Sequence, residues 1–249
     1  MAHAAPRLGA FASPHLWFDE IGSTNTVAVR LAERGAKEGS VIAANAQLAG
    51  RGRLGRTWAS PSGAGLYVSV VLRPPQHSAL VTIAAGVAVA QGISAATGLS
   101  VGLKWPNDVY VDARKVAGIL AEAGQSVAGP FVVVGFGINV FRASYPPDVA
   151  DRATSIESEL GKPPDRGLLF AEVLAALAEN YDEMISGRSA RILERWRQRA
   201  GAMLGRPVEW NDAAGLHQGT TRDIDEDGAL IIDTEAGIRR VIAGEVRWH

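Results

Sequence analysis

The 249-residue sequence contains no cysteine. That excludes disulfides, thiolate-bound zinc and thiol nucleophiles. Histidine is sparse: five, at positions 3, 15, 77, 217 and 249, none four residues from another. The paired-histidine helix of a zincin metal site is therefore absent. Charge of either sign is not in excess, with a formal net charge of −1, so there is no global basic field of the kind that coats nucleic acid. The N-terminal stretch MAHAAPRLGAFASPH holds no apolar run of signal-peptide type. The most lipid-like stretch, residues 79–96, is broken by Thr82, Gln91 and Ser94 and is dominated by Ala and Gly. It reads as a buried core helix, not a membrane span. The expectation is a cytoplasmic protein that does not enter a membrane. Internal repeats and low-complexity runs are also missing.

The most informative absence is acid. No Asp or Glu occurs between Glu38 and Asp108, and the only formal charges in that interval are Arg51, Arg53, Arg56, Arg73 and Lys104. The first three lie in GRGRLGR, residues 50–56. Six of those letters fit G-x-G-x-x-G, but a dinucleotide fingerprint needs a helix after it and an acid about 20 residues on. Here TWASPSGAGLYVSV follows, and Pro61, Gly63 and Gly65 make it a loop leading to a strand. No G-K-[ST] closes a Walker A motif either. Three readings remain: a solvated loop, an arginine–glycine RNA tract, or an anion-binding loop. RNA tracts of this type sit in repetitive disordered arms, whereas this one is single and lies between apolar strands. Glycines allow backbone N–H groups close to a ligand, and guanidinium forks suit carboxylate and phosphate oxygens. The loop thus points to an anion with several oxygens.

Around it, the pattern predicts strands over 15–21, 39–47, 65–74 and 130–140, and strand–turn–strand–turn–strand over 101–123. Ser23, Thr24 or Asn25 is placed to cap a helix carrying Val27, Val29, Leu31 and Ala32. Residues 168–200 read as two helices parted at Gly187, the first with Leu168, Leu169, Ala171, Val173, Leu174, Leu177 and Ala178 on its apolar face. Beyond Leu204, short strands divided by NDAAG, DEDG and EAG turns predict a small β-barrel. The organisation expected is α+β, with a mixed domain over 1–203 and a barrel over 204–249. The close succession of strands argues against regular βαβ alternation.

Four further clusters carry chemistry. In KWPND, Lys104 suits a phosphate, Asn107 a base edge or phosphate, and Asp108 Mg²⁺ or a ribose hydroxyl. An ordinary Pro-Asn-Asp turn is the alternative. In RKVAGIL, Lys115 begins an apolar strand and either snorkels to solvent or supplies charge to a reacting acyl or phosphoryl group. GFGIN, residues 135–139, ends a buried strand as a ligand floor would. GSTN, residues 22–25, is a helix cap or a set of hydroxyls facing a ligand's polar head.

Taken in order, STN, Q-x-x-GRGRLGRTW, KWPNDVY, KVAGIL, GFGIN and a final GEV run from residue 23 to 246, nearly the whole chain. In this the sequence resembles the biotin protein ligases. The pairing of GRGRLGR with KWPND at this separation is what makes the resemblance specific. It implies a mixed-sheet catalytic domain like that of class II aminoacyl-tRNA synthetases, with helices on one side, and a C-terminal SH3-like β-barrel. It implies that biotin is activated with MgATP to biotinyl-5′-AMP and then joined to one lysine of a biotin carboxyl carrier domain, such as that of acetyl-CoA carboxylase.

By the same resemblance Ser23, Thr24, Asn25 and Gln47 match biotin-head positions, and Gly50, Arg51, Gly52 and Arg53 the biotin and adenylate loop. Arg56 matches a phosphate contact and Trp58 a residue near the adenine. Lys104, Asn107 and Asp108 match nucleotide and Mg²⁺ positions. Lys115 matches the lysine between the biotin carboxylate and the α-phosphate and is the main catalytic candidate, with Arg51 and Arg53. Gly118, Gly135, Gly137, Ile138 and Asn139 match the floor under biotin and adenine. Leu48 departs from the family pattern, as does Phe136, which stands between two glycines where a smaller residue is usual. Arg247 is out of register with the arginine that some members bring to the nucleotide. The first strand begins near residue 15, which leaves no room for the winged helix of repressor members, so no DNA partner is expected. Members pair through sheet edges, and a homodimer is left open. The rivals are a lipoate ligase of the same adenylating logic and, in another class, a nucleic-acid module using the arginine tract.

Overall fold

The fold, taken from a computed structural model, is described for residues 5–12, 15–75, 80–143, 145–212 and 215–248. His3, His77 and His249, residues 1–4 and 13–14, and part of the NDAAG turn lie outside the described residues. In chain order the elements are β1 (Leu16–Ile21), α1 (Thr24–Glu33), β2 (Val41–Gln47), β3 (Gly65–Leu72), α2 (Leu80–Thr97), β4 (Gly102–Lys104), β5 (Asp108–Val111), β6 (Arg114–Ser126) and β7 (Gly129–Asn139). Then come α3 (Pro147–Ala150), α4 (Ile156–Leu160), α5 (Arg166–Ile185), α6 (Ser189–Ala200), β8 (Pro207–Asp212), β9 (Gly215–Ile224), β10 (Leu230–Thr234), β11 (Gly237–Val241) and β12 (Val246–Trp248).

Seven strands form one mixed sheet in the order β1-β2-β3-β7-β6-β5-β4. β1 runs parallel to β2 and the other pairs are antiparallel. The strands at the centre are apolar on both faces, because both faces are covered. Strand alternation sorts their residues. On β7, Val132, Val134, Phe136 and Ile138 join the large core with α2 and α5, while Phe131 and Val133 join a smaller core with Ala28 and Ala32 of α1. α1 therefore lies on the face opposite α2 and α5, so the helices are not confined to one side. By length and composition α2 would cross a membrane, yet 67% of it is buried within the protein, as a core helix would be.

The prediction for α1 needs two adjustments. Its inward face is Thr24, Ala28 and Ala32, spaced by four, with Val27, Val29 and Leu31 only partly buried. Ser23 occupies the N-cap position, but no side chain makes a capping bond there. The polar side chains at this end are engaged elsewhere.

The C-terminal strands form a five-stranded antiparallel sheet, order β11-β10-β9-β8-β12. It is not the closed SH3-like barrel that was expected. Closure would need β11 to pair with β12, and the two are the outer edges. β12 has only three residues and pairs with β8. The turn between β11 and β12 is directed instead at the glycine–arginine loop: Gly244 O accepts from Arg53 and Glu245 pairs with Arg56. The sheet shares the large core through Val208, Trp210, Ile224, Leu230 and Ile232. A buried bond fastens it, Trp105 Nε1 donating to Gly228 O at 3.0 Å.

Candidate active site

On the α1 face of β7, the residues after Phe131 and Val133 are Gly135, Gly137 and Asn139. They emerge beside the N-terminal end of α1 and, with Gly118 of β6, floor a cavity of about 680 Å³. That volume is typical of a small-molecule pocket. The glycines are required by what lies on them. A Cβ at Gly135 would collide with Asn25 Oδ1, and one at Gly137 with Trp58 Nε1. At Gly118 it would stand 3.0 Å from Trp58 Cζ3. The Trp58 indole thus lies flat on the floor, with Nε1 buried and without a hydrogen-bond partner. Phe136, between the two glycines, does not obstruct: alternation turns its ring to the α2 side, where it is 3% exposed.

At one end of the cavity is a buried polar cluster. Ser23, Thr24 and Asn25 are each 4% exposed and Ser69 is 0%. Thr24 donates to Gln47 Oε1 through its N–H at 2.9 Å and its hydroxyl at 3.1 Å. The Ser69 hydroxyl stands 2.6 Å from Asn25 Oδ1 and 2.8 Å from Thr24 Oγ1. Gln47 Nε2 donates to Ser60 Oγ at 2.8 Å. Three close oxygen–oxygen contacts share two hydroxyl protons, so at any moment one of the three has no proton between its oxygens.

At the other end the cavity is cationic. Arg51, Arg53, Arg56, Lys104, Lys115 and Arg152 line it against two carboxylates, Asp108 and Glu245. Lys115 Nζ lies 2.5 Å from Asp108 Oδ1 and 5.4 Å from the centre of the Trp58 ring. Its backbone is gripped by the segment after α3, with Lys115 N donating to Arg152 O at 2.7 Å and Thr154 N donating to Lys115 O at 2.9 Å. Asn139 Nδ2 steadies that segment through Thr154 O at 3.0 Å. Arg56 is held 2.6 Å from Glu245, which raises the guanidinium pKa and lowers that of the carboxyl.

Two cations have neutral neighbours. Arg53 donates to Asn107 Oδ1 at 3.1 Å and to Gly244 O at 3.3 Å. Lys104 Nζ sits 5.8 Å from the Tyr110 ring centre and 5.6 Å from that of Trp248. Burial lowers the pKa of both, against the pull of Asp108. A half-buried cation whose direct partners are dipoles and rings gains strongly when an anion arrives. Among the described residues no three acidic or histidine groups cluster. Asp108 can nonetheless meet a magnesium ion whose other ligands are phosphates and water, the usual manner for that ion.

Most residues singled out in the sequence line this cavity. Gly50 and Ile138 do not. Gly50 packs under Trp58 O and Ser60, and Ile138 is fully buried on the far face. Arg73 leaves the cationic group altogether: it donates to the carbonyls of Ala32 and Ala36 behind α1, where the helix dipole favours a cation. Sequence reasoning missed Tyr145, Arg152 and Glu245 in the lining, and Ser69 and Glu122, which hold lining residues from behind. Ser69 had a signal, being the one polar residue in an otherwise apolar strand.

Residues 17–139 match the biotin/lipoate A/B protein ligase family and residues 203–247 the biotin protein ligase C-terminal domain. The chain is 37% identical over 238 residues to the biotin–[acetyl-CoA-carboxylase] ligase of Mycobacterium tuberculosis, covering 91% of this chain and 86% of that one. The chain belongs to the biotin protein ligase family. It is also 33% identical to the bifunctional ligase/repressor BirA of Bacillus spizizenii, over 93% of this chain and 73% of that protein. Biotin protein ligase from Aquifex aeolicus, solved in complex with biotin and ATP, superimposes with a TM-score of 0.83 at 31% identity, covering 95% of this chain and 99% of that one. In this ligase, then, the polar cluster and the cationic end belong to one continuous cavity.

Proposed function

We propose how this chain's residues divide the work of biotin ligation. The protein is an ATP-dependent ligase that activates biotin to biotinyl-AMP and transfers the biotin to a carrier protein. In the first step a biotin carboxylate oxygen attacks the α-phosphorus of MgATP, the α–β bridging P–O bond breaks and pyrophosphate leaves. In the second, the neutral amine of the carrier lysine attacks the acyl carbon, AMP leaves and a proton is lost from nitrogen.

The observation that carries the assignment is one cavity with a buried hydrogen-bonding end and a cationic end. Ser23, Thr24, Asn25 and Gln47, with Ser69, hold the ureido head, whose N–H and C=O groups need both acceptors and donors. Lys115 stands between carboxylate and α-phosphate and offsets the charge that brings these two anions together. Arg53 and Lys104 take the phosphates, with Arg56 and Asn107. Trp58, Gly137 and Asn139 shape the adenine site. Arg51, Gly52 and Arg53 close over the adenylate and keep water from it, with Gly50 fixed beneath Trp58 at the root of the loop. Asp108 would hold Mg²⁺, which supplies charge neutralisation to the leaving pyrophosphate. A cytoplasmic location fits the core-helix role of α2, and a boundary near residue 203 fits the second sheet that begins after it. A protein partner, not DNA, fits the near-neutral charge.

The test is biotin-dependent exchange of pyrophosphate into ATP by purified protein, with lipoate in parallel. Exchange with lipoate and none with biotin would overturn the assignment of the polar cluster.

A further inference from the structure

The glycine–arginine loop is anchored by three side chains, two of which meet the turn before β12 and one the catalytic sheet. Arg53 reaches Asn107 and Gly244 O, and Arg56 reaches Glu245. Arg51 reaches Glu122 on β6. That last contact is bidentate: one terminal nitrogen donates to Oε2 at 3.0 Å and the other to Oε1 at 2.6 Å. Glu122 Oε2 also accepts from Asn25 Nδ2 at 2.8 Å. Asn25 in turn is fixed by Ser69 through Oδ1. One carboxylate therefore joins the loop to the polar cluster at the start of α1, and neither of the other anchors does.

This arrangement is more than a solvated strand carboxylate. The Glu122 side chain is 25% exposed and both of its oxygens are committed. A planar fork on a planar carboxylate fixes direction as well as distance. Asn25 has no freedom to give, since it is buried and lies against Gly135.

Resting on the ligase reading above, we infer that Glu122 is a positioning residue. It tethers the loop to the head-group cluster, and Arg51 acts through it rather than on the reacting atoms. When the cluster is filled, Asn25 and Glu122 are held in place and the loop stays closed over the adenylate. Without the Glu122 charge, Arg51 loses its fork partner and the loop opens more often.

The experiment compares wild type, Glu122→Gln, Arg51→Gln and the double variant. It measures the lifetime of enzyme-bound biotinyl-adenylate, the KM for ATP, kcat of exchange and the thermal midpoint. Each single change should shorten the lifetime about tenfold, the worth of a charge-assisted bond, with the midpoint nearly unmoved. The double variant should be no worse than the worse single, because the two residues form one unit. Glu122→Asp should restore part of the lifetime. A Glu122→Gln enzyme that retains adenylate as wild type does, or singles whose effects multiply in the double, would overturn the inference. If Glu122→Gln lowers the midpoint substantially, Arg51→Gln, on the exposed loop, carries the comparison. Failure of wild type itself to form adenylate would sink the ligase reading instead.

Discussion

Trp58 rests on Gly137 with no space for a side chain between them, because a Cβ at 137 would run into the indole Nε1. Gly137→Ala should therefore lift the indole off the floor. The expected outcome is a fall of about tenfold or more in nucleotide affinity, about 1.4 kcal/mol, with a smaller effect on biotin. Calorimetry with biotin alone and with a non-hydrolysable ATP analogue separates the two.

Ser69 supports Asn25 and Thr24 from a fully buried position. Ser69→Ala leaves Asn25 Oδ1 without that donor, at a cost of about 1–3 kcal/mol for a buried unsatisfied group. Biotin affinity should weaken while the KM for ATP changes little. Equal loss of both would show that the hydroxyl supports the sheet and not the head-group site.

Lys115→Ala should lower exchange by about a hundredfold to a thousandfold, the range for removing one group aimed at developing charge. The partly exposed side chain contributes little to folding, so the thermal midpoint should stay within a few degrees. Retention of exchange would remove Lys115 from the chemistry.

Lys104 carries a pKa lowered by burial. Its charge is lost at a lower pH than that of an ordinary lysine, so the KM for ATP should begin to rise below the usual lysine range. The unfolded state binds the extra proton in that interval, so folding stability contributed by this group rises with pH there. Lys104→Arg, which stays charged, should move the alkaline limit of KM upward. A profile that is the same in both proteins would show that another group sets it.

Trp105 ties the C-terminal sheet to the catalytic sheet through Gly228 O. Trp105→Phe leaves that carbonyl unpaired and opens a small void, costing about 2–4 kcal/mol. Urea unfolding measures it, and an unchanged midpoint would show that the two sheets are fastened by other contacts.

The seven-stranded sheet was legible because its central strands are apolar runs bounded by Gly, Pro and Asn. The site was legible where function demands unusual residues, as in GRGRLGR and KWPND. The face of α1 was not, since alanines at 28 and 32 give a weaker signal than the valines beside them. Barrel closure was invisible as well. Turn spacing counts strands, but it does not report that the turn before Val246 is drawn away to Arg53 and Arg56. Glu122 was missed because a carboxylate in a strand ordinarily faces water, and its partners come from residues 25 and 51.

The bond from Arg56 to Glu245 joins positions 189 residues apart. With the Arg53 bond to Gly244 O, which spans 191 residues, it closes one of the longest loops among the described residues and carries a correspondingly high closure cost. During synthesis the arginine loop is made early and remains without that clasp until the last strands have docked. A chain halted before residue 244 carries the anion-gathering residues but not the turn that holds them, so the complete site reports that this turn has docked.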